Sequence, residues 1–240
     1  MSDRSEYINS DIPIKSELLR LFNSEDKLIV FDVGACEGED SIRYANLFPK
    51  ADIYSFEPNP ENIKLIKKNF KTYDKLHVKI IEEALSDTIG KINFYVSSGI
   101  PDNIEKEEDW NYGNKSSSIL PPKKVNQTHA WLKFNKTIEV NANTINAFCK
   151  KNNIERIDFV HMDVQGAELK VLEGASQMIN KIKVIWLEVS TIELYKKQGL
   201  KKDIEKYMHQ NNFFLYKNEC SQSFGDQLYV NKIDYNQVEK

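Results

Sequence analysis

A doubly wound α/β sheet, mostly parallel, is the fold this sequence predicts, and three observations predict it. Short apolar runs alternate with segments of helical periodicity from residue 28 onward, the pattern of parallel βαβ units. Two of these runs carry an aspartate into a glycine-bearing loop that opens a helix: Asp32-Val33-Gly34-Ala35-Cys36-Glu37-Gly38 and Asp163-Val164-Gln165-Gly166-Ala167-Glu168. The last two runs, residues 213–216 and 227–230, have no long helix between them. They are therefore expected to close the sheet as an antiparallel pair, which a nicotinamide-type Rossmann domain does not need.

Taken in order, residues 1–26 read as a polar tail leading into a helix over 14–22, with Leu18, Leu19, Leu21 and Phe22 to pack on the sheet. Residues 28–33 form an apolar run suited to a buried parallel strand. A helix over 39–48 is stopped by Pro49, as proline stops helices generally. Residues 51–56 are the second strand. Asn59 is then placed as an N-cap with Pro60 at the first helical position, the arrangement those residue types favour. Ile63, Ile66 and Phe70 give that helix its apolar face. Further strands are expected at 77–81, 91–96 and 137–140, a helix at 144–151, a strand at 157–163, a helix at 168–179, a strand at 183–189 and a helix at 200–210. About seven strands result, in one domain over 27–240. The periodicity fails between 97 and 135, where Trp110, Tyr112, Ser116 to Ser118, His129 and Trp131 lie. A long irregular segment inside a compact domain is usually functional or disordered, so this stretch is expected to be an insertion or lid.

Bulk properties narrow the function classes. With 240 residues, 40% hydrophobic and 29% charged, the chain suits one soluble domain with a full core. No apolar run approaches the roughly 18 residues of a membrane helix, and the N-terminus lacks a signal-peptide pattern. A net charge of −3 does not favour nucleic acid as a partner. Cys36, Cys149 and Cys220 are odd in number and far apart, which argues against a disulfide framework or zinc site and for a reducing, cytoplasmic compartment.

The first crossing points to a nucleotide-like cofactor. In open α/β sheets ligands bind beyond the carboxyl ends of the strands, where Gly34, Ala35 and Gly38 and, just inside the helix, Ser41 are found. The middle glycine of a dinucleotide fingerprint is missing, and Asp32, Glu37, Glu39 and Asp40 crowd the loop. That charge repels a pyrophosphate and suits S-adenosylmethionine, whose sulfonium and ammonium are positive. Glu57, with Pro58 and Asn59 behind it, ends the second strand, where an acid accepts both ribose hydroxyls. Glu82, Glu83 and Ala84 end the third, in position to line an adenine.

With these residues in view, the chain resembles the FkbM family of S-adenosylmethionine-dependent methyltransferases. The resemblance is carried by Phe31 to Ala35, Phe56-Glu57-Pro58-Asn59-Pro60, Ala84-Leu85-Ser86-Asp87 with Gly90, and Ile157 to Gly174, and it spans roughly residues 28 to 232. It implies a class I methyltransferase (Rossmann-like) fold, seven strands with a reversed last strand, and methyl transfer to oxygen, often on a sugar or polyketide-type hydroxyl. It further implies that Asp32, Gly34 and Ala35 hold the methionine end, Glu57 the ribose, Glu83 and Ala84 the adenine, and that Asp163 lies beside the methyl. Two positions depart: the family often has asparagine at Cys36 and lysine at His161. The second leaves open what balances the charge of Asp163 or the acceptor.

Methyl transfer from a sulfonium is an in-line displacement in which positioning matters most, and an alcohol needs a base to take its proton. Asp163 is the first candidate. His161, two residues back and about 6.6 Å deeper on the same face, is a second base or a partner of Asp163, or else a core histidine. Glu188 is expected across the site. Two carboxylates can hold a divalent cation, but Val189 stands where a further ligand would be, so a metal is not favoured. The expected acceptor is a small molecule or glycan with a free hydroxyl. The rival readings are a nicotinamide-dependent oxidoreductase and a non-catalytic ligand- or partner-binding domain on the same sheet.

Overall fold

The computed structural model describes residues 4–101, 112–233 and 235. In chain order the elements are α1 (Arg4–Asn9), α2 (Lys15–Leu21), β1 (Ile29–Val33), α3 (Glu39–Leu47), β2 (Asp52–Phe56), α4 (Pro60–Thr72), β3 (Lys79–Ile81), β4 (Ala84–Leu85) and β5 (Gly90–Ser98). A 3₁₀ turn at Tyr112–Ser116 precedes α5 (Val125–Thr128), β6 (Lys133–Asn143), α6 (Ile145–Lys151), β7 (Ile157–Met162) and α7 (Glu168–Ala175). The chain ends with β8 (Ile182–Ser190), α8 (Lys201–Gln210), β9 (Phe213–Asn218) and β10 (Phe224–Asn231).

Seven strands form the main sheet in the order β3-β2-β1-β7-β8-β10-β9. All neighbours are parallel except β10, which runs antiparallel to both β8 and β9. Strand order reverses between β1 and β7, so the carboxyl ends of these two strands open a crevice. Side chains alternate across the sheet as strand geometry requires. Phe31, Val160, Ile185 and Tyr229 face α6, α7 and α8 on one side, and Val30, Phe159, Val184 and Leu228 face the N-terminal helices and α3 on the other. Both faces are covered, which is why the central runs read as continuously apolar. Each fully buried side chain of this size contributes roughly 1.5–3 kcal/mol.

Local chemistry sets the helix starts. Asn59 caps α4 by accepting the Glu61 N–H at 3.2 Å, with Pro60 at the first position. Thr144 caps α6 by accepting the Ala147 N–H at 3.1 Å. Ile63, Ile66 and Phe70 are buried as the periodicity predicts.

Several expectations are corrected. The first 26 residues are not a polar tail with one helix: α1 precedes α2, and Ile8, Ile12, Ile14 and Leu18 join the core. Leu19 is exposed. The predicted strands at 91–96 and 137–140 are not in the main sheet. They are the middles of the long strands β5 and β6, which pair antiparallel and with β4 make a separate three-stranded sheet. The insertion hangs from this second sheet; Trp110 lies outside the described residues. The helix at 168–179 breaks after Ala175, because Ser176 turns to φ 46° and a 3₁₀ segment follows. β8 runs on to Ser190, so Glu188 lies within the strand and does not end it.

Candidate active site

The two crossings meet at one place. Gly34 and Ala35 donate their N–H groups to the Phe56 carbonyl oxygen at 3.0 Å, and Asp163 donates its own to Val33. A Cβ on Gly34 would lie 2.0 Å from the Asp163 carbonyl oxygen, and its φ is 88°. Only glycine lets the two loops close on each other here. Gly38 opens α3 against the Phe70 ring and lies behind the loop.

Glu57 ties the loop to the second strand. Its buried carboxylate accepts the Cys36 N–H at 2.9 Å through Oε2 and the Asn59 N–H at 2.7 Å through Oε1. Burial lifts its pKa to about 8, against the lowering effect of those two N–H donors and of Asn62. Each oxygen keeps a lone pair for a further donor.

A recess of about 510 Å³, partly open to solvent, is walled by Glu57, Pro58, Glu83, Ala84, Phe94 and Asp163. A second, of about 680 Å³, is walled by Tyr7, Asp32, Asp40, Lys115, His161 and Asp163. Gly34, Cys36, Lys115 and Asp163 belong to both, so Asp163 stands where the two recesses join. This donor set fits the cofactor foreseen from the sequence. Glu57 offers a carboxylate able to accept hydroxyls, Ala84 a small apolar edge, and Asp32, Glu39 and Asp40 acids suited to a positive group. Glu83 is held by Asn143 Nδ2 at 2.9 Å. Glu82 is not in the wall; it pairs with Lys67 at the surface.

Not every acid of the first loop reaches this site. Glu37 is fully buried, accepting from Arg4 of α1 and from Asn114 Nδ2 at 2.8 Å. Asp32, Glu39 and Asp40 do line the second recess. The Tyr7 hydroxyl of α1 lies 3.1 Å from both oxygens of Asp40, so the N-terminal helix covers the loop. Ser41 is buried behind it, donating to Asp32 Oδ2 at 2.5 Å and facing Ser55 Oγ; it positions Asp32 and lines neither recess. Asn59, as the cap of α4, is likewise behind the wall.

His161 pairs with Asp32, not with Asp163: its Nδ1 is 3.2 Å from Asp32 Oδ1, and its ring meets Tyr44 edge-on. Burial disfavours the imidazolium, but the Asp32 bond and the fields of Asp40, Asp32 and Asp163 outweigh that and raise the pKa to about 9. A histidine already protonated at neutral pH is a counter-ion for Asp32 and a poor base. Because this pKa lies above the ordinary 6.5, the pair's contribution to stability is full below 6.5 and lost as pH rises through about 9. The wild-type melting temperature is expected to fall by several degrees between pH 6.5 and 9.5. His161→Gln should flatten that fall, and an unchanged slope in the variant would remove the pair as its cause.

Around Asp163 the acids crowd. Gln165 Nε2 donates to Asp163 Oδ1 at 2.7 Å and lies 3.4 Å from Glu188 Oε2. Glu168 is committed to the loop, accepting the N–H groups of Val164 and Gly166 at 3.2 Å. Asp163, Glu168 and Glu188 bring carboxylate oxygens within 4.8 Å of one another, and Asp226 is the cross-strand neighbour of Glu188. Asp163 is exposed and lines both recesses. Withdrawal from bulk water there raises its pKa, opposed by the Gln165 bond and by His161. Glu188 is raised further, by burial and then by repulsion from Asp163 and Glu168.

The segment that sequence periodicity left blank closes the site. Asn114 Nδ2 bonds Glu37 and, at 2.9 Å, Asn62 Oδ1. Ser118 Oγ donates to the Gln165 carbonyl at 2.8 Å, and the Tyr195 hydroxyl donates to the Ser116 carbonyl at 2.7 Å. Asn114 and Ser118 thus tie this segment to the first and second crossings, while Ser117, one of the three serines, lines the first recess. Tyr112 lies in the same turn, outside both walls; His129 and Trp131 stack edge-on with each other at 6.3 Å, also outside them. Asn62, Phe94, Lys115 and Ile119 are wall residues that sequence reading missed. The Asn114-to-Ser118 run was their one local signal.

Comparison with known proteins gives a consistent result. A family model described as the methyltransferase FkbM domain matches residues 32–215. The chain is 32% identical over 189 residues to the 2-O-methyltransferase NoeI of Sinorhizobium fredii, covering 79% of this chain and 74% of that one. It is 25% identical over 197 residues to the methyltransferase sdnD of Sordaria araneosa, with 77% and 73% covered. Among solved structures, methyltransferase FkbM from Methylobacillus flagellatus superposes with a TM-score of 0.51 at 15% identity, over 95% of this chain and 50% of that one. That last likeness concerns the fold alone.

Proposed function

The chain belongs to the FkbM family of methyltransferases, and from that premise we propose that it methylates a hydroxyl of a sugar, glycan or similar small molecule. Family and fold imply use of S-adenosylmethionine. That cofactor supplies an electrophilic methyl on a positive sulfur. In this reading Glu57 accepts the ribose hydroxyls, Glu83 and Ala84 border the adenine, and Asp32 with Asp40 takes the ammonium. Asp163 receives the proton of the acceptor hydroxyl, and its raised pKa makes it a better base near neutral pH.

The observation that carries the reading is the position of Asp163 in the walls of both recesses. One group there can reach the cofactor side and the acceptor side together. The relative NoeI is named a 2-O-methyltransferase, which supports oxygen as the acceptor atom. The carboxylate of Glu188 beside Asp163, with Asp226 as its cross-strand neighbour, suits an acceptor with several hydroxyl donors. Transfer is proposed to need no divalent cation: Glu168 is spent on two backbone N–H groups, and the Gln165 amide already bridges Asp163 and Glu188.

The test is a calorimetric titration with S-adenosylhomocysteine and with NADH, followed by a survey of hydroxylated acceptors, sugars first, with and without chelator. Micromolar or tighter binding of the first ligand alone is expected, then methylation of a sugar-type hydroxyl at a rate that chelation leaves unchanged. NADH binding in its place would sink the cofactor reading, and loss of turnover on chelation would restore the metal.

A further inference from the structure

Lys115 is the residue with no role so far. It sits in the 3₁₀ turn of the insertion, remote in sequence from both crossings, yet it lines both recesses. The turn that carries it is anchored on each side, through Asn114 to Glu37 and Asn62 and through Ser118 to Gln165. Its Nζ lies 3.5 Å from Glu39 Oε1, and about a third of the side chain is exposed. Burial opposes its charge, but the fields of Glu39, Glu37 and Asp40 favour the charged form and the pKa is raised.

The charge balance of the second recess shows what this cation can do. Its wall carries four acids, Asp32, Glu39, Asp40 and Asp163, and two basic side chains, His161 and Lys115. His161 is bonded to Asp32. From outside that wall Arg4 pairs with Glu37 and Glu39, and Arg43 pairs with Asp40 at 2.9 Å. The methionine end of the proposed cofactor is a zwitterion: its ammonium suits the acids, but its carboxylate would be repelled by them. An ammonium group has three donors, so Lys115 can hold Glu39 and a second carboxylate together.

We propose that Lys115 binds the carboxylate of the cofactor's methionine moiety, so that the insertion completes the cofactor site. This rests on the S-adenosylmethionine reading above. It also accounts for how a zwitterionic cofactor fits a recess whose wall is mostly acidic.

The test compares two ligands by calorimetry: S-adenosylhomocysteine, and its decarboxylated analogue, which keeps the ammonium and lacks the carboxylate. Lys115→Met keeps the aliphatic stem and removes the charge. It should weaken S-adenosylhomocysteine about 10- to 100-fold, the range of a charge-assisted hydrogen bond, and leave the analogue unchanged. Lys115→Arg should recover most of the loss. Equal loss for both ligands would mean that Lys115 only shapes the turn, and no loss for either would leave it outside the site; each overturns the proposal. Wild-type protein that binds neither ligand would overturn the cofactor reading itself, and this assignment with it.

Discussion

Asp163→Asn is expected to bind S-adenosylhomocysteine as the wild type does and to lose about 10²–10⁴-fold in kcat, the usual contribution of a positioned base. Asparagine matches the shape of aspartate, and its carbonyl oxygen can still accept the Gln165 amide that now reaches Asp163 at 2.7 Å. What it cannot do is take a proton. S-adenosylhomocysteine is the right ligand for the binding arm because it has no sulfonium and so does not report the lost negative charge. The pH profile gives a second readout. Asp163 has its pKa raised by withdrawal from water, so the acidic limb of turnover should lie above the ordinary carboxylate range. Turnover should rise with pH along it, and the limb should be absent from the residual activity of the variant. Wild-type turnover in Asp163→Asn would remove this residue from the mechanism and turn attention to Glu188.

Glu57→Ala is expected to lose cofactor affinity by about 2–3 kcal/mol, the value of hydrogen bonds to a charged acceptor. Part of that loss has a structural origin, since Glu57 also holds the N–H groups of Cys36 and Asn59. Glu57→Gln is the milder change: its one oxygen keeps one of the two loop N–H groups, while its amide nitrogen gives up the other and meets the ribose with a donor. Proton linkage is a further signature. Burial holds the Glu57 pKa up to about 8 in the free protein, so much of it carries a proton at pH 7. Hydroxyl donors from a ribose favour the ionised form, so binding should release protons, and affinity should rise with pH up to about 8 and then level. Calorimetry in buffers of different ionisation enthalpy measures the release directly. Unaltered affinity in Glu57→Ala, or no proton release by the wild type, would contradict the ribose role.

Chain order alone placed most of the candidate site. Parallel strands that each feed a helix put all their carboxyl ends on one side of the sheet. Residues that close those strands therefore converge however far apart they are in sequence. Asp32 and Gly34 at the end of β1, Glu57 after β2, Glu83 and Ala84 after β3 and Asp163 after β7 all follow from that rule, and the structure brings them to the two adjoining recesses. The missing middle glycine and the acids around it carried the choice of cofactor, because charge sign is a property of the residues themselves.

Tertiary structure decided which of those side chains face the recess and what completes it. Ser41 in the first turn of α3 and Glu37 on the loop before it point into the protein, toward Asp32 and Arg4. His161 chose Asp32 over Asp163 because the registered pairing of β1 with β7 sets it beside Asp32. Tyr7, Asn114, Lys115 and Tyr195 enter from segments with no periodicity that leads to the site. Their place depends on where an N-terminal helix packs and on how a 3₁₀ turn, hung from a second sheet, folds back across both crossings. Periodicity reports which face of an element is buried. It carries no information about which distant element buries it, and that long-range packing is what brings the insertion's lysine to the site.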